Sequence, residues 1–148
     1  MPTPTTAITD TLSVAGQITR EDIAAYAKEG YGTIINNRPD GEEPGQLSHD
    51  EAAAEAAKHG IEYRYIPVIT NTITKRDVAA HQNAVLRGKG KVLAHCRSGT
   101  RSYLLWAAAR ALFERESALK LVAEAAIKGY DLRVLPSLVE KLEAEKAQ

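Results

Sequence analysis

The segment His95-Cys96-Arg97-Ser98-Gly99-Thr100-Arg101-Ser102 carries the residue types needed for nucleophilic chemistry on an anion. Cys96 is the only cysteine in the 148 residues, and its thiolate can attack an electrophile. Arg97 and Arg101 follow it closely, and a guanidinium fork binds tetrahedral oxyanions through paired donors. The pattern therefore predicts a nucleophile in an anion-binding loop rather than a small core residue.

The other residues of the segment fit supporting roles in such a loop. Ser98 and Gly99 allow a tight backbone turn toward a ligand, and the amides of Ser98, Gly99 and Thr100 form an expected anion cradle. Ser102 is expected to donate a hydrogen bond to the sulfur, which makes it a third catalytic candidate beside Cys96 and Arg101. His95 either orients the loop through hydrogen bonding or simply ends the preceding strand, and we expect orientation.

Arg38 is a further candidate for substrate binding. It follows the apolar run 33–37 and precedes Pro39. In open α/β sheets, ligands bind beyond the carboxyl ends of the strands, so Arg38 could hold an anionic substrate. An ordinary surface turn at Arg38-Pro39 fits the sequence equally well.

Short apolar runs alternate with helical patterns along the chain, which predicts an α/β fold. Strands are expected at 12–16, 33–37, 61–68 and 91–95. Helices are expected from Arg20 to near Gly30, from the Ser48/Glu51 capping box to Gly60, over 75–87 after Thr74, and from Ser102 onward, followed by two more toward the end. We expect one domain over residues 1–148, with a largely parallel sheet of four or five strands and helices on both faces.

This order of elements decides the surroundings of Cys96. The cysteine comes directly after the buried strand 91–95, and a helix follows the loop. A helix N-terminus presents backbone N–H groups and the positive end of its dipole, which together bind an anion and favour a thiolate. The loop should therefore activate Cys96 and bind its substrate at the same place.

Composition argues against several classes of partner. The 19 basic and 19 acidic residues cancel, so net charge gives no reason to expect nucleic acid or an anionic membrane as partner. No apolar run approaches the roughly 20 residues of a membrane span, and no signal peptide is evident, so we expect a cytoplasmic protein. The four histidines show no ligand spacing, and we expect no metal and no cofactor. His49, His59 and His81 are expected at the surface.

The segment HCRSGTRS resembles the active loops of cysteine-dependent phosphatases and of rhodaneses. The wider pattern from Leu12 to about Trp106, with its Arg38-Pro39 pair, resembles the bacterial DUF442 family. That resemblance implies a fold like that of the dual-specificity phosphatases, with the active loop at the carboxyl end of a strand. It also implies activity as a phosphatase or a sulfurtransferase.

Two departures from the phosphatase pattern favour sulfur chemistry. Cysteine phosphatases carry Cys-x5-Arg, whereas Cys96 and Arg101 are separated by only four residues, the spacing of rhodaneses. Dual-specificity phosphatases also place an aspartate general acid in the loop that corresponds to ITNTIT, residues 69–74. Asp40, Glu42 or Glu43 could replace it, but solvation and turn formation are the simpler roles for them.

These observations favour sulfur transfer from thiosulfate, or another sulfane donor, to a thiophilic acceptor through a Cys96 persulfide. The alternative is a cysteine-dependent phosphatase that acts on a phosphorylated compound through a phosphocysteine. A second alternative is a binding module that keeps the anion pocket without turnover. All three predict a small anionic ligand at the same loop.

Overall fold

Strands and α-helices alternate along residues 2–145, which the computed structural model describes. The strands are β1 (Thr5–Ala7), β2 (Leu12–Ala15), β3 (Tyr31–Asn36), β4 (Glu62–Tyr65) and β5 (Lys91–His95). The helices are α1 (Arg20–Lys28), α2 (His49–Lys58), α3 (Lys75–Leu86), α4 (Thr100–Phe113), α5 (Ala118–Ile127) and α6 (Leu135–Ala144), with a short 3₁₀ turn at Thr70–Thr72.

The five strands form one sheet in the order β1-β2-β5-β3-β4. The strands β2, β5, β3 and β4 are mutually parallel, and β1 pairs antiparallel with β2 at one edge. The predicted α/β fold with a largely parallel sheet is confirmed. The strand β1 was not predicted, because three residues, two of them threonine, give no readable alternation.

Helices cover both faces of the sheet because successive strand residues point in opposite directions. Ile34 of β3 and Leu93 of β5 pack with residues of α1 and α2. Their neighbours Ile35 and Ala94 pack in the larger core, which includes residues of α3, α4, α5 and α6. The buried, two-sided strands explain why the sequence shows continuous apolar runs.

Local signals in the sequence locate the helix starts. Three capping boxes form, each with reciprocal bonds between the N-cap residue and the residue three positions later: Ser48 with Glu51, as predicted, and also Thr19 with Asp22 and Thr74 with Asp77. The strand predicted over 61–68 is shorter, since regular pairing stops at Tyr65. Beyond it, Ile66 and Val68 still donate backbone hydrogen bonds to Asn36 and Asn37, and this guides the chain along the carboxyl edge of the sheet.

His81 is buried in α3, so its expected place at the surface is wrong. Helix α3 packs against α4, and neither ring nitrogen of His81 has a hydrogen-bond partner among residues 2–145. Burial lowers the pKa of His81 to about 4. The imidazole therefore serves as a neutral core side chain at neutral pH.

Acid should destabilise the fold because His81 and His95 are both buried with pKa values of about 4. In the unfolded chain they bind protons near their ordinary pKa of 6.5, so the unfolded state takes up more protons as pH falls from about 6.5 to 4. Each histidine should contribute a loss on the order of 3 kcal/mol over that window. Urea unfolding at pH 7 and pH 5 measures this loss as a lower free energy of unfolding at pH 5. The variant His81→Leu should lose about half of this pH dependence, since His95 remains, whereas the surface control His59→Gln should match the wild type; an unchanged dependence in His81→Leu would contradict the assignment.

No helix within the described range 2–145 has the length and apolar character needed to span a membrane.

Candidate active site

The loop after β5 lies at the carboxyl edge of the sheet, where the chain segments after β2, β3 and β4 also meet. Its backbone is tied to the neighbouring strand end, since the Cys96 amide donates to Ala15 O at 3.3 Å and Gln17 N donates to Arg97 O at 3.1 Å. On the other side, Asn37 N donates to His95 O at 2.8 Å. The parallel sheet thus fixes both sides of the Cys96 loop.

Two glycines permit the close packing of this loop. A Cβ on Gly16 would stand 2.9 Å from Arg97 O, closer than real Cβ atoms approach a backbone oxygen. Gly99 has a φ of 95°, in the left-handed region, and a Cβ there would lie 3.2 Å from the Tyr130 ring. Side chains at either position would displace the loop.

The Cys96 sulfur lies at the N-terminus of α4. Cys96 is buried, and Gly99 N–H donates to its Sγ at 3.1 Å. Helices α1, α2, α3 and α5 begin with a Ser or Thr that caps them, whereas α4 begins after Gly99 with no side-chain cap within the described residues. The first amides of α4 are therefore left for an anion, as the loop pattern predicts.

Helix α4 begins at Thr100 rather than at the expected Ser102. The left-handed turn at Gly99 reverses the chain at once, so the short loop runs directly into the helix. Arg101 consequently belongs to the first helical turn, one residue past the start. A Cys-x4-Arg spacing thus still brings Arg101 back to Cys96.

Arg101 is held rigidly beside the sulfur. Its Nη1 and Nη2 donate to the two carboxylate oxygens of Glu42 at 2.9 and 2.7 Å, and Nη1 also donates to Val68 O at 2.9 Å. The pKa of Arg101 is raised, chiefly by the hydrogen bond to Glu42, and a contribution from Cys96 shows that the two side chains are close. The guanidinium is preorganised to bind an anion next to Cys96.

Glu42 is the residue that positions Arg101. Hydrogen bonds from Arg101 and Arg38 lower the pKa of Glu42 to about 2, although partial burial opposes the shift. Because the pKa is depressed, the carboxylate stays ionised and the pair persists until pH falls toward 2. Glu42 therefore cannot donate a proton at ordinary pH, which rules out a general-acid role for it.

Arg38 is fully buried, so it is not the exposed turn residue that the sequence also allowed, and its role in binding substrate stays a prediction. Its Nε donates to Glu42 Oε1 at 2.8 Å and its Nη1 donates to Gln17 Oε1 at 3.1 Å. The carboxyl-edge position was predicted correctly, but the side chain turns inward. Arg38 orients Glu42, and Glu42 in turn orients Arg101.

Ser102 is buried, but its hydroxyl donates to Asn37 Oδ1 at 2.8 Å rather than to the sulfur, which corrects the expected contact. Asn37 is also buried and donates from Nδ2 to Ile66 O at 2.9 Å. The pair ties the first turn of α4 to the ends of β3 and β4. Gly99 N–H supplies the hydrogen bond to sulfur instead.

His95 is buried next to the loop, and its ring nitrogens have no hydrogen-bond partner of good geometry among residues 2–145. The expected orienting hydrogen bond is therefore not formed. Burial lowers the pKa of His95 to about 4; a weak interaction with the Cys96 backbone opposes this shift, and the Arg38 charge adds to it. His95 acts as a neutral packing residue under the loop.

Arg97 and Ser98 form the exposed rim of the loop, whereas Gly99 is buried and Thr100 is half-buried. The Arg97 side chain is 67% exposed, and its Nη2 stands 4.0 Å from Glu43 Oε2. Ser98 is exposed and donates from its hydroxyl to Thr100 Oγ1 at 3.1 Å. Arg97 is thus free to approach a substrate, while Ser98, Gly99 and Thr100 contribute mainly their backbone amides.

Proton donors are scarce around the loop. The segment that would carry an acid in dual-specificity phosphatases forms the 3₁₀ turn Thr70–Thr72. Asp40 accepts from the backbone and the ring of His49, so it is engaged at the surface. Within residues 2–145, no group of three or more His, Cys, Asp or Glu side chains could hold a metal ion.

Replacing Glu42 tests its positioning role. Glu42→Gln keeps the shape but loses one acceptor oxygen and the charge, so Arg101 should lose its fixed orientation and kcat should fall roughly 10- to 100-fold. The matched control Glu116→Gln breaks the Arg110–Glu116 pair, which lies elsewhere on α4 and its following turn, and should keep wild-type activity. Equal kcat in Glu42→Gln and wild type would show that Arg101 needs no such support.

The chain resembles known proteins over most of its length. The family model for the phosphatase-like domain of beta-lactamase hydrolase-like proteins matches residues 5–113. A beta-lactamase hydrolase-like protein of Xylella fastidiosa is 38% identical over 125 residues, which is 84% of this chain and 29% of that protein. The chain therefore spans less than a third of the length of this curated relative.

Solved structures show the same fold. A candidate phosphatase from Neisseria meningitidis has a TM-score of 0.82 and 29% identity, with 93% of this chain and 96% of that chain covered. A candidate phosphatase of the DUF442 group from Shewanella putrefaciens has a TM-score of 0.71 and 18% identity, with 99% and 93% covered. Other cysteine phosphatases also match, so the predicted dual-specificity-phosphatase-like fold is confirmed.

Proposed function

Because the chain belongs to the family of phosphatase-like domains found in beta-lactamase hydrolase-like proteins, we propose that it is a cysteine-dependent phosphatase with Cys96 as its nucleophile. The observation that carries the proposal is the Arg101 guanidinium, fixed by Glu42 beside the sulfur at an uncapped helix N-terminus. This arrangement supplies donors to the equatorial oxygens of a transferring phosphoryl group. The loop spacing alone favoured sulfur transfer, with a phosphatase as the alternative. The proposal reverses that order.

The reaction proceeds in two displacements. The Cys96 thiolate attacks phosphorus, an S–P bond forms, and the bond from phosphorus to the leaving oxygen breaks with its electron pair on that oxygen. Water then attacks the phosphocysteine, which releases inorganic phosphate and restores the thiolate. Arg101 and the first amides of α4 stabilise the charge on the phosphoryl oxygens in both steps.

The scarcity of proton donors sets the substrate class. Glu42 remains ionised, Asp40 is bound to His49, Glu43 lies 3.3 Å from Arg38 Nη2, and Thr70–Thr72 occupies the place of an acid loop. A general acid typically contributes 100- to 10,000-fold to such a step. Substrates whose leaving oxygen is already stable as an anion, such as aryl phosphates, acyl phosphates and phosphoanhydrides, are therefore favoured over alkyl phosphates.

Turnover of two aryl phosphates tests both the phosphatase activity and the preference for leaving groups that are stable as anions. We expect 4-nitrophenyl phosphate to be cleaved with kcat/KM about 100-fold or more above that of phenyl phosphate, since no acid compensates for the poorer leaving group. The same protein sample is assayed with thiosulfate and cyanide. If kcat/KM is nearly equal for the two aryl phosphates, a proton donor must assist the poorer leaving group. Thiosulfate turnover without phosphate release would overturn the phosphatase proposal.

Sulfur transfer stays as the second candidate because one observation favours it. The loop is one residue shorter than that of cysteine phosphatases and places fewer amides around the anion. The outer sulfur of thiosulfate could bind to Cys96 as a persulfide, with sulfite leaving without a proton. The same Arg101 fork would bind the sulfonate end of that donor.

A further inference from the structure

We propose that Tyr130 is a positioning residue for Cys96 and that it acts through Gly99. This inference rests on the proposed function, because it gives a residue outside the Cys96 loop a part in activating the same nucleophile. Gly99 N–H donates to Cys96 Sγ at 3.1 Å. A hydrogen bond to sulfur stabilises the thiolate relative to the thiol, so the orientation of the Gly99 amide bears directly on nucleophilicity.

Gly99 needs outside support to keep that orientation. Its φ is 95°, and a glycine reaches many other backbone conformations at little cost. Its N–H is engaged by the sulfur, and its carbonyl oxygen accepts from Tyr103 N at 3.0 Å. Both bonds lie within the loop and the helix that follows it, so they would move together with the turn. The support must therefore come from another part of the chain.

Tyr130 lies over the exposed side of this turn and closes it. A Cβ on Gly99 would stand 3.2 Å from both Cε2 and Oη of Tyr130, and 3.4 Å from the backbone carbonyl carbon of Ala15. The Tyr130 ring also packs against Tyr103, with the ring centroids 5.2 Å apart. Gly99 is thus confined between the phenol ring and the end of β2.

The position of Tyr130 does not depend on the Cys96 loop. Gly129 N donates to Ala126 O at 3.0 Å, with Gly129 in the left-handed region at a φ of 91°. The next amide, that of Tyr130, donates to Ala125 O at 2.9 Å, which completes a Schellman motif at the end of α5. The Tyr130 hydroxyl donates to Thr6 Oγ1 of β1 at 3.1 Å. Because α5 and β1 fix the ring, the ring can hold Gly99 in place.

Replacing Tyr130 in two steps tests this role. Tyr130→Leu and Tyr130→Met both remove the ring but keep apolar bulk, so either one suffices if the other fails to fold. In the folded variant, kcat for 4-nitrophenyl phosphate should fall about tenfold or more. KM should change by less than about threefold, because Arg101, which binds the anion, is held by Glu42 and Val68 O. Tyr130→Phe keeps the ring over Gly99 and should retain kcat within about threefold of the wild type. The same small change in the variants without a ring would overturn the inference.

Tyr26→Leu is the matched control. The Tyr26 hydroxyl donates to Thr3 O at 2.6 Å, and its ring packs edge-on against Tyr31 with the centroids 5.5 Å apart. These contacts resemble those of Tyr130, but Tyr26 belongs to the core beneath α1 and α2. Tyr26→Leu should lose at least as much stability in thermal unfolding, yet keep the wild-type kcat. An equal loss of kcat in Tyr26→Leu and Tyr130→Leu would attribute the effect to general destabilisation and contradict the positioning role.

The ultraviolet absorbance of the Cys96 thiolate separates this inference from the proposed function, because it needs no substrate. At neutral pH the absorbance is measured against the matching Cys96→Ser protein. The thiolate signal should fall by about half or more in Tyr130→Leu and return in Tyr130→Phe. That result supports the positioning role even where the wild type cleaves no phosphate ester. Equal thiolate signals in the wild type and Tyr130→Leu would sink the role whatever the turnover.

Discussion

Cys96→Ser should abolish turnover of aryl phosphates, with a loss of about 10⁴-fold or more. The sulfur is the group that the loop is built around, with Gly99 N–H at 3.1 Å and the Arg101 fork beside it. A serine hydroxyl in the same place would keep its proton at neutral pH, because a hydroxyl is a far weaker acid than a thiol.

The fold should survive this change, since serine is close to cysteine in size and Cys96 is one small side chain in a loop. Thermal unfolding and the binding of phosphate or vanadate to the Cys96→Ser protein serve as controls, and both should stay near wild type. Residual activity within tenfold of the wild type would place the nucleophile at another residue.

Arg101→Lys should reduce kcat by roughly 10³-fold. The guanidinium makes two hydrogen bonds to Glu42 and one to Val68 O, and its remaining donors are left for the substrate. A lysine ammonium is a point charge and cannot satisfy Glu42 while it also binds two phosphoryl oxygens. The loss should lie in kcat more than in KM, because the fork acts on charge that develops in the transition state.

Arg97→Lys is the matched control for this prediction. Arg97 is largely exposed and has only a distant contact with Glu43, so the same change there should alter kcat/KM by less than about fivefold. Steady-state kinetics of Arg101→Lys and Arg97→Lys, measured side by side, show whether the two arginines differ as predicted. Small and equal effects would mean that backbone amides alone hold the anion.

The sequence predicts the position and surroundings of Cys96 well because they depend on local signals. A buried apolar strand, a glycine turn and the start of an apolar helix occur within residues 91–105, and the structure brings Cys96, Gly99 and Arg101 together as that order implies. The capping boxes are equally local, so the starts of α1, α2 and α3 follow from them.

The supporting residues escaped prediction because their partners are distant in sequence. Glu42 is 59 residues from Arg101, and Asn37 is 65 residues from Ser102. Either pair becomes visible only when the ends of β3 and β5 lie side by side in the sheet. One weak signal existed for Glu42, since an acidic pair that follows Arg38-Pro39 at a strand end would lie at the same sheet edge as the loop.

Where the observed surroundings of a side chain differ from those expected, the cause is the direction in which the side chain points. Arg38 lies at the predicted edge but turns inward to Glu42, and the Ser102 hydroxyl points to Asn37 rather than to sulfur. His81 has polar neighbours in sequence, yet the packing of α3 against α4 buries it. Periodicity predicts which element a residue belongs to, whereas tertiary packing decides where its polar atoms find partners.

The mass of the intact protein, quenched within one turnover of an aryl phosphate, tests the central claim most directly. We predict that the wild type gains the mass of one phosphoryl group, that peptide mapping places it on Cys96, and that Cys96→Ser gains nothing. The same protein treated with thiosulfate should form no cyanide-labile sulfur adduct at a comparable rate. An adduct of sulfur alone on Cys96, or a phosphoryl group on any other residue, would contradict the assignment of Cys96 as the nucleophile of a phosphatase.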